Sequence, residues 1–171
     1  MGARVRHDAN ADTERGFTLV ELIAVTIMLG IIAVVAVPRF TGKETFDSLG
    51  FFDQAKSTIR YAQKAAIAQR TPVFVTVTAN TLSVNYASAA TCTALAGFVL
   101  NPANGQNFIV NAPSGVSFEA GRQFCFDGLG KPYAAGDTFP TSSLAAAVTL
   151  VVQGDNMNRP ITVESETGYV R

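Results

Sequence analysis

The chain has 171 residues, 48% of them hydrophobic and 15% charged, with thirteen basic and thirteen acidic side chains and so no net charge. A zero balance excludes attraction of nucleic acid by bulk electrostatics. The proportions suit one apolar helix plus one compact domain rather than a disordered chain, and about a hundred residues beyond the helix suffice for a core.

The first predicted element begins at Gly16-Phe17-Thr18-Leu19-Val20-Glu21. From Leu22 to Val37 no residue is charged, and with Phe17 to Val20 the segment approaches the ~20 residues that cross a bilayer. An ionised side chain at the centre of such a helix costs about 2.5 to 3.5 kcal/mol, and less near an interface, so Glu21 calls for a partner or a place at the headgroups. A secretory signal peptide with Val34-Val35-Ala36 as its cleavage site is one alternative. It is opposed by Glu21 inside the core, by a long leader of mixed charge and by Pro38 just past the cut. A signal anchor retaining its leader is the other. Arg4, Arg6 and Arg15 precede the run, beside Asp8, Asp12 and Glu14, and Arg39 and Lys43 follow it, a slight bias toward a cytoplasmic N-terminus.

Glycine before Phe17, glutamate fifth from that Phe, and Pro38 further on resemble the class III signal sequences of type IV pilins and type II secretion pseudopilins. The resemblance implies a leader, residues 1–16, cut by a prepilin peptidase between Gly16 and Phe17, and N-methylation of Phe17. It also implies a filament-assembly role for Glu21 and a helix-bending role for Pro38. Cleavage would place a new amine about one helical turn, ~6 Å of rise, from Glu21, and a neighbouring subunit's amine could neutralise that acid.

Proline at 38 can kink the helix, because it lacks an N–H and crowds the preceding turn, and Gly42 permits a second irregularity. The helix is then predicted to resume in amphipathic form, with Phe52, Ala55, Ile59, Ala62 and Ala66 on one face. Thr71-Pro72 ends it, since the residue before proline leaves the α region. Thereafter the period becomes two. Val73 to Thr78 and Thr81 to Tyr86 flank Ala79-Asn80 as a hairpin, and further strands are predicted over residues 107–111, 116–119, 123–127, 148–153 and 161–165. The small-residue stretches 87–96 and 134–147 are read as loops. The expected fold class is α+β: a long kinked N-terminal helix over residues 17–71, half membrane-spanning and half amphipathic, packed on an antiparallel β domain over residues 72–171.

Cys92 and Cys125 both fall in the part that would be exported, where disulfides form and persist. Bridging them would close roughly thirty residues and stabilise by about 3 to 4 kcal/mol; two buried free thiols are the alternative.

The second half is similar to a subset of that family. Phe52-Asp53-Gln54 through Arg60-Tyr61-Ala62-Gln63-Lys64-Ala65-Ala66, then Phe126-Asp127-Gly128-x-Gly130-x-Pro132, then Ile161-Thr162-Val163 and Thr167-Gly168-Tyr169-Val170, resemble H-type minor pseudopilins. Minor pilins of the mannose-sensitive haemagglutinin pilus and FimT-like minor pilins share the likeness. FimT-like proteins can bind DNA through C-terminal arginines; here Arg171 alone is available, and the zero net charge argues against nucleic acid as a partner.

Little in the sequence carries chemistry. The one histidine, His7, lies in the leader, so the processed chain has no Ser-His-Asp or Cys-His system and no imidazole metal ligand. Glu164 and Glu166 share a strand face that reads as a solvated edge. Asp155-Asn156-Met157-Asn158 lacks the bidentate acid of a calcium loop and reads as a polar turn, and Gly128-Leu129-Gly130 fits no phosphate-loop fingerprint. The expected protein is no enzyme, needs no cofactor or metal, and has a structural role. It is a minor pilin or pseudopilin of the inner membrane, single-pass with the β domain in the periplasm, or extracellular in an extended pilus. Its expected partners are the prepilin peptidase, other subunits of a hetero-oligomeric helical filament and an inner-membrane assembly platform. The alternative is a filament-displayed binding module, which a contiguous apolar or basic patch on the sheet face away from the helix would favour.

Overall fold

The structure, a computed structural model, describes residues 16–41 and 43–171, and the side-chain surroundings of all of these except 35–43. The expected leader up to Arg15, with His7, lies outside the described residues, as do Gly42 and the side chain of Pro38. The chain divides into two compact units between residues 41 and 42, the first holding helix α1 and the second everything that follows.

Helix α1 runs over Leu19–Thr41, through Pro38. Thr18 caps it, its Oγ1 accepting from the Glu21 N–H at 3.3 Å. That bond satisfies one of the four unpaired amides at a helix start, and Thr18-x-x-Glu21 has the spacing of a capping box. Over the described residues no helix is long and apolar enough to cross a membrane. For α1 the described surroundings reach residue 34, short of the about 20 residues a bilayer core asks for.

Helix α2 spans Lys43–Gln69. Its apolar stripe is Phe51, Ala55, Ile59, Ala62 and Ala66, all buried. The stripe therefore starts at Phe51, whereas Phe52 lies at its margin, partly buried. The alanines let the helix backbone approach the strands, while Phe51 and Ile59 fill the space between; burying a side chain of that size stabilises by about 1.5 to 3 kcal/mol. Arg70 ends α2 in the left-handed conformation at φ 51°. The Arg70 N–H donates to the Ile67 carbonyl at 3.3 Å and the Thr71 N–H to the Ala66 carbonyl at 3.2 Å, a Schellman cap with Arg where Gly is usual.

Nine strands follow: β1 (Val73–Val77), β2 (Thr81–Ala87), β3 (Ala94–Phe98), β4 (Ile109–Asn111), β5 (Ser117–Phe118), β6 (Arg122–Phe126), β7 (Pro132–Ala134), β8 (Val148–Gly154) and β9 (Met157–Val163). The larger sheet has the order β3-β2-β1-β6-β7 with β4 also on β2, and the smaller has β5-β8-β9; every pairing is antiparallel. The fold is α+β, with α2 against β1, β6 and β8 and so against both sheets. Phe51 of α2 meets Phe118 of β5 edge-on, ring centres 5.3 Å apart.

The β1–β2 hairpin turns at Ala79-Asn80, closed by the Thr78 N–H on the Thr81 carbonyl at 2.8 Å. Three sequence expectations need correcting. The stretch read as a loop over 87–96 contains most of β3, which escaped notice because Ala94, Ala96 and Gly97 are small and residues 94–97 are exposed on both faces, leaving no alternation to detect. Ala134, the first residue of the stretch read as a loop over 134–147, closes the short edge strand β7, which opens with Pro132. The last strand begins at Met157, not Ile161, because Asp155 and Asn156 both take positive φ, 50° and 57°. A two-residue turn of that kind leads directly into the next strand, and Pro160 is tolerated because β9 is an edge.

Val73, Val75 and Val77 of β1 face α2 with Phe124 and Phe126 of β6. Phe74 points the other way and joins a second buried cluster with Ala87, Cys92, Cys125 and Tyr133. Cys92 and Cys125 are joined by a disulfide there, Cα atoms 5.7 Å apart.

Candidate assembly surface

Among the described residues no group of three or more His, Cys, Asp or Glu side chains converges. What stands out is uncovered apolar surface. Every residue of α1 from 19 to 34 is exposed, its large apolar side chains from Val25 at 46% to Leu19, Val20 and Val34 at 75%. A helix that is apolar on all sides is built to be surrounded, by lipid or by other helices, since water penalises each such side chain.

Ahead of it, Gly16 and Phe17 are non-helical and exposed, Phe17 at 78%. A Cβ added at Gly16 meets nothing within 4 Å, and the residue has no positive φ. Among the described residues nothing requires glycine at that position. Glu21, in the first turn, is exposed with the apolar residues around it. Its carboxylate can complement the amino end of the helix, where partial positive charge collects, and can meet a cation brought by another molecule.

The motifs of the second half turn out to be one structural device. Asp127 Oδ1 accepts from the N–H groups of Leu129 and Lys131, each at 2.9 Å, folding the turn between β6 and β7. A Cβ at Gly128 would press on the Arg70 backbone at 3.1 Å, and one at Gly130, with φ 86°, on Ile67 Cδ1 at 2.7 Å. Gln63 of α2 reaches across, its Nε2 donating to the carbonyls of Gly130 and Thr167, each at 3.0 Å. Arg60 donates through Nε and Nη2 to the Val170 carbonyl at 3.2 and 2.9 Å. The helix end, the glycine turn and the C-terminal tail thus lock together. The tail also pairs with β9, Thr162 and Arg171 exchanging both backbone bonds at 3.0 Å.

Glu164 and Glu166 are not a matched pair of acids: Glu164 meets Arg171 at 3.1 Å and Glu166 meets Lys131 at 2.8 Å, both at the surface. The sheet face away from α2, where an exposed patch would have favoured a binding module, is covered at one end by the disulfide cluster with Phe139; at the other end Ile109 and Gln123 are exposed and Thr76 and Ser83 partly so. Tyr133 in that cluster donates to Asp127 Oδ2 at 3.1 Å, and burial, then the Asp127 charge, push its phenol above the usual range.

One polar network was not legible in the sequence. Arg159 holds Asp155 through two parallel bonds, Nη1 to Oδ1 at 2.8 Å and Nη2 to Oδ2 at 2.9 Å, and the fully buried Ser48 donates to Asp155 Oδ1 at 3.1 Å. It ties the β8–β9 turn to the first part of α2. The hydrogen bond from Arg159 holds the Asp155 carboxyl below the ordinary range; partial burial opposes this, and the Ser48 hydroxyl adds to it. A pKa depressed on folding means stability that is present above the unfolded carboxylate range and lost as pH falls through the folded value. We expect the unfolding midpoint of the chain to drop on acidification below the ordinary carboxylate range, and Asp155→Asn to remove that part of the drop. An unchanged acid limb in Asp155→Asn would refute the role given to this pair.

No protein-family model and no curated protein sequence matches the chain. Among solved structures it is similar to a crystal structure of the type IV minor pilin FimU of Pseudomonas aeruginosa strain PAO1. The identity is 12%, over 72% of this chain and 90% of that one, with a TM-score of 0.46. A second crystal form of FimU gives 11% identity over 76% and 87%, with a TM-score of 0.45.

Proposed function

We propose that the chain is a minor pilin or pseudopilin that acts by packing, not by catalysis. A prepilin peptidase cuts between Gly16 and Phe17, the new amine of Phe17 is methylated, and α1 enters the inner membrane with the β domain on the periplasmic side. In this reading the domains are a leader of residues 1–16, a helical part over 17–71 and a β part over 72–171. On assembly through an inner-membrane platform, α1 leaves lipid for the core of a hetero-oligomeric helical filament, with Pro38 adjusting its course. A head-to-tail contact that does not close generates such a filament. Glu21 pairs there with the amine of a neighbouring subunit, which removes the cost of an unpaired charge in an apolar setting.

The observation that carries the reading is the apolar helix bearing one carboxylate, exposed over residues 19–34 and preceded by a glycine that no described residue crowds. The test is the intact mass of the membrane-purified chain after coexpression with a prepilin peptidase. We expect a species that begins at methylated Phe17, carries one disulfide, and disappears in Gly16→Val. Glu21→Val should still be cut yet fail to enter filaments. A full-length chain would leave a signal anchor, and a start at Val37 would mean a soluble secreted domain; either mass sinks the proposal.

A further inference from the structure

Of the asparagines in the sequence, Asn104 alone is followed by glycine. Asn101 precedes Pro102, which has no N–H, and each of the others precedes a residue with a Cβ. Asn104-Gly105 lies in the loop between β3 and β4, closed at its base by the pairing of Leu100 with Asn107, and residues 102–107 are all exposed. Within the loop the Asn101 carbonyl accepts from the N–H groups of Asn104 at 3.3 Å and Gly105 at 2.8 Å. Asn101 Oδ1 accepts from the Ala103 N–H at 2.9 Å, and Asn104 Oδ1 from the Gln106 N–H at 3.0 Å. Gly105 takes φ 68°, where other residues are strained, yet a Cβ there would meet nothing within 4 Å. The turn thus demands glycine for its backbone, and in doing so sets an unhindered amide nitrogen directly after an exposed asparagine.

We propose that Asn104 is a modification site, deamidated without an enzyme whenever the 101–107 turn opens. The Gly105 nitrogen, giving its proton to solvent, attacks Asn104 Cγ. The bond from Cγ to Nδ2 breaks, and Nδ2 leaves as ammonia with a proton drawn from water. The cyclic imide so formed takes up water, which opens either of its ring carbonyl–nitrogen bonds. One opening gives aspartate, the other isoaspartate, in which the main chain runs through the former side-chain carbons. Water enters and ammonia leaves, with nothing oxidised or reduced.

Two bonds of the turn oppose the first step. The Gly105 N–H that must be lost is held by the Asn101 carbonyl, and the Asn104 amide is held in one orientation by the Gln106 N–H. Both lie in an exposed loop, so they open locally and leave the domain folded. Asp127-Gly128 in the β6–β7 turn is the contrasting case: its carboxylate accepts from Leu129, Lys131 and Tyr133, and an ionised carboxylate is a poor target for a nucleophile. The product at Asn104 is conspicuous. Between Arg70 and Glu119 the sequence holds no Asp, Glu, Lys or Arg, so the new aspartate is the first formal charge in the stretch that builds β1 to β5. Isoaspartate also lengthens the main chain and so disrupts the bonds that close the turn. The inference does not depend on leader processing or on filament assembly.

The test incubates the full chain in mildly alkaline buffer, folded in detergent or unfolded in guanidinium with its disulfide intact. Each asparagine is followed by peptide mass, and isoaspartate by enzymatic methyl labelling. Asn104 is expected to convert in both states, ahead of every other asparagine. Two exposed hydrogen bonds should make the folded chain slower on the order of tenfold. Asn101→Ala removes the side-chain acceptor of the Ala103 N–H, and should raise the folded rate about threefold while leaving the unfolded rate unchanged. Gly105→Ala should slow conversion several-fold in guanidinium, where the turn plays no part and only crowding of the nitrogen differs. An Asn104 that stays intact in either state, or is outpaced by another asparagine, would overturn the inference. So would equal folded and unfolded rates, an Asn101→Ala chain no faster than the parent when folded, or a Gly105→Ala chain as fast as the parent in guanidinium.

Discussion

Gly168→Ala is expected to destabilise the domain by about 3 kcal/mol, read as a lowered urea midpoint of the full chain in detergent. Two costs add. Gly168 has φ 67°, and a side chain in the left-handed region costs about 1 to 2 kcal/mol. The added methyl would also collide with the Gly130 carbonyl oxygen and with Gln63 Nε2, contacts no rotamer change at position 168 can relieve. Forcing them apart costs about 1 to 3 kcal/mol and weakens the Gln63 bonds to Gly130 and Thr167. Gln63→Ala alone should cost about 1 kcal/mol per bond, the net worth of an ordinary hydrogen bond. Because the methyl and the Gln63 amide compete for the same space, the double variant should lose less than the sum. An alanine at 168 that leaves the midpoint unmoved would show that the tail does not lock onto α2.

That clasp shows what the sequence could and could not say. Gly128, Gly130 and Gly168 were visible as motifs, but a glycine in a sequence does not reveal which backbone it must admit; only the meeting of the β6–β7 turn, the tail and the end of α2 does. The α2 stripe was legible because 3.6-residue periodicity reports one buried face, although Phe51 and Phe52 are neighbours and periodicity alone did not choose between them. Strands with a covered face, such as β1 and β8, could be found, whereas β3, with no covered face, could not. Ser48, Asp155 and Arg159 lie too far apart along the chain, Ser48 from the other two, for any spacing rule to join them. At the N-terminus the position is reversed. Gly16, Phe17 and Glu21 were conspicuous in the sequence, and the structure adds that Thr18 caps the helix and that no described residue crowds Gly16.

Loss of the Cys92–Cys125 bridge is expected to cost about 3 to 4 kcal/mol, because the link closes a loop with a separation of 33 residues and so removes conformational freedom from the unfolded chain. The loss should also be local in its consequences. Cys92 accepts from the Gly136 N–H at 2.8 Å and donates to the Asp137 carbonyl at 2.7 Å, and the Phe139 N–H donates to Ala90 at 3.0 Å. Two loops without regular structure therefore hold each other, and the bridge fastens both to Cys125 in β6 over Phe74 and Tyr133. Cys92→Ala, Cys125→Ala and the double variant should be destabilised by nearly the same amount, since either substitution alone breaks the bond. Reductant should lower the parent's midpoint to match and leave the variants unmoved. Amide exchange should quicken first in the segments 88–93 and 134–140, while the β8–β9 hairpin, joined by seven residue pairs and remote from the bridge in the sheet order, keeps its protection. If reductant leaves the midpoint where it was, the loops are held by their hydrogen bonds and the buried cluster alone, and the bridge contributes no stability to the fold.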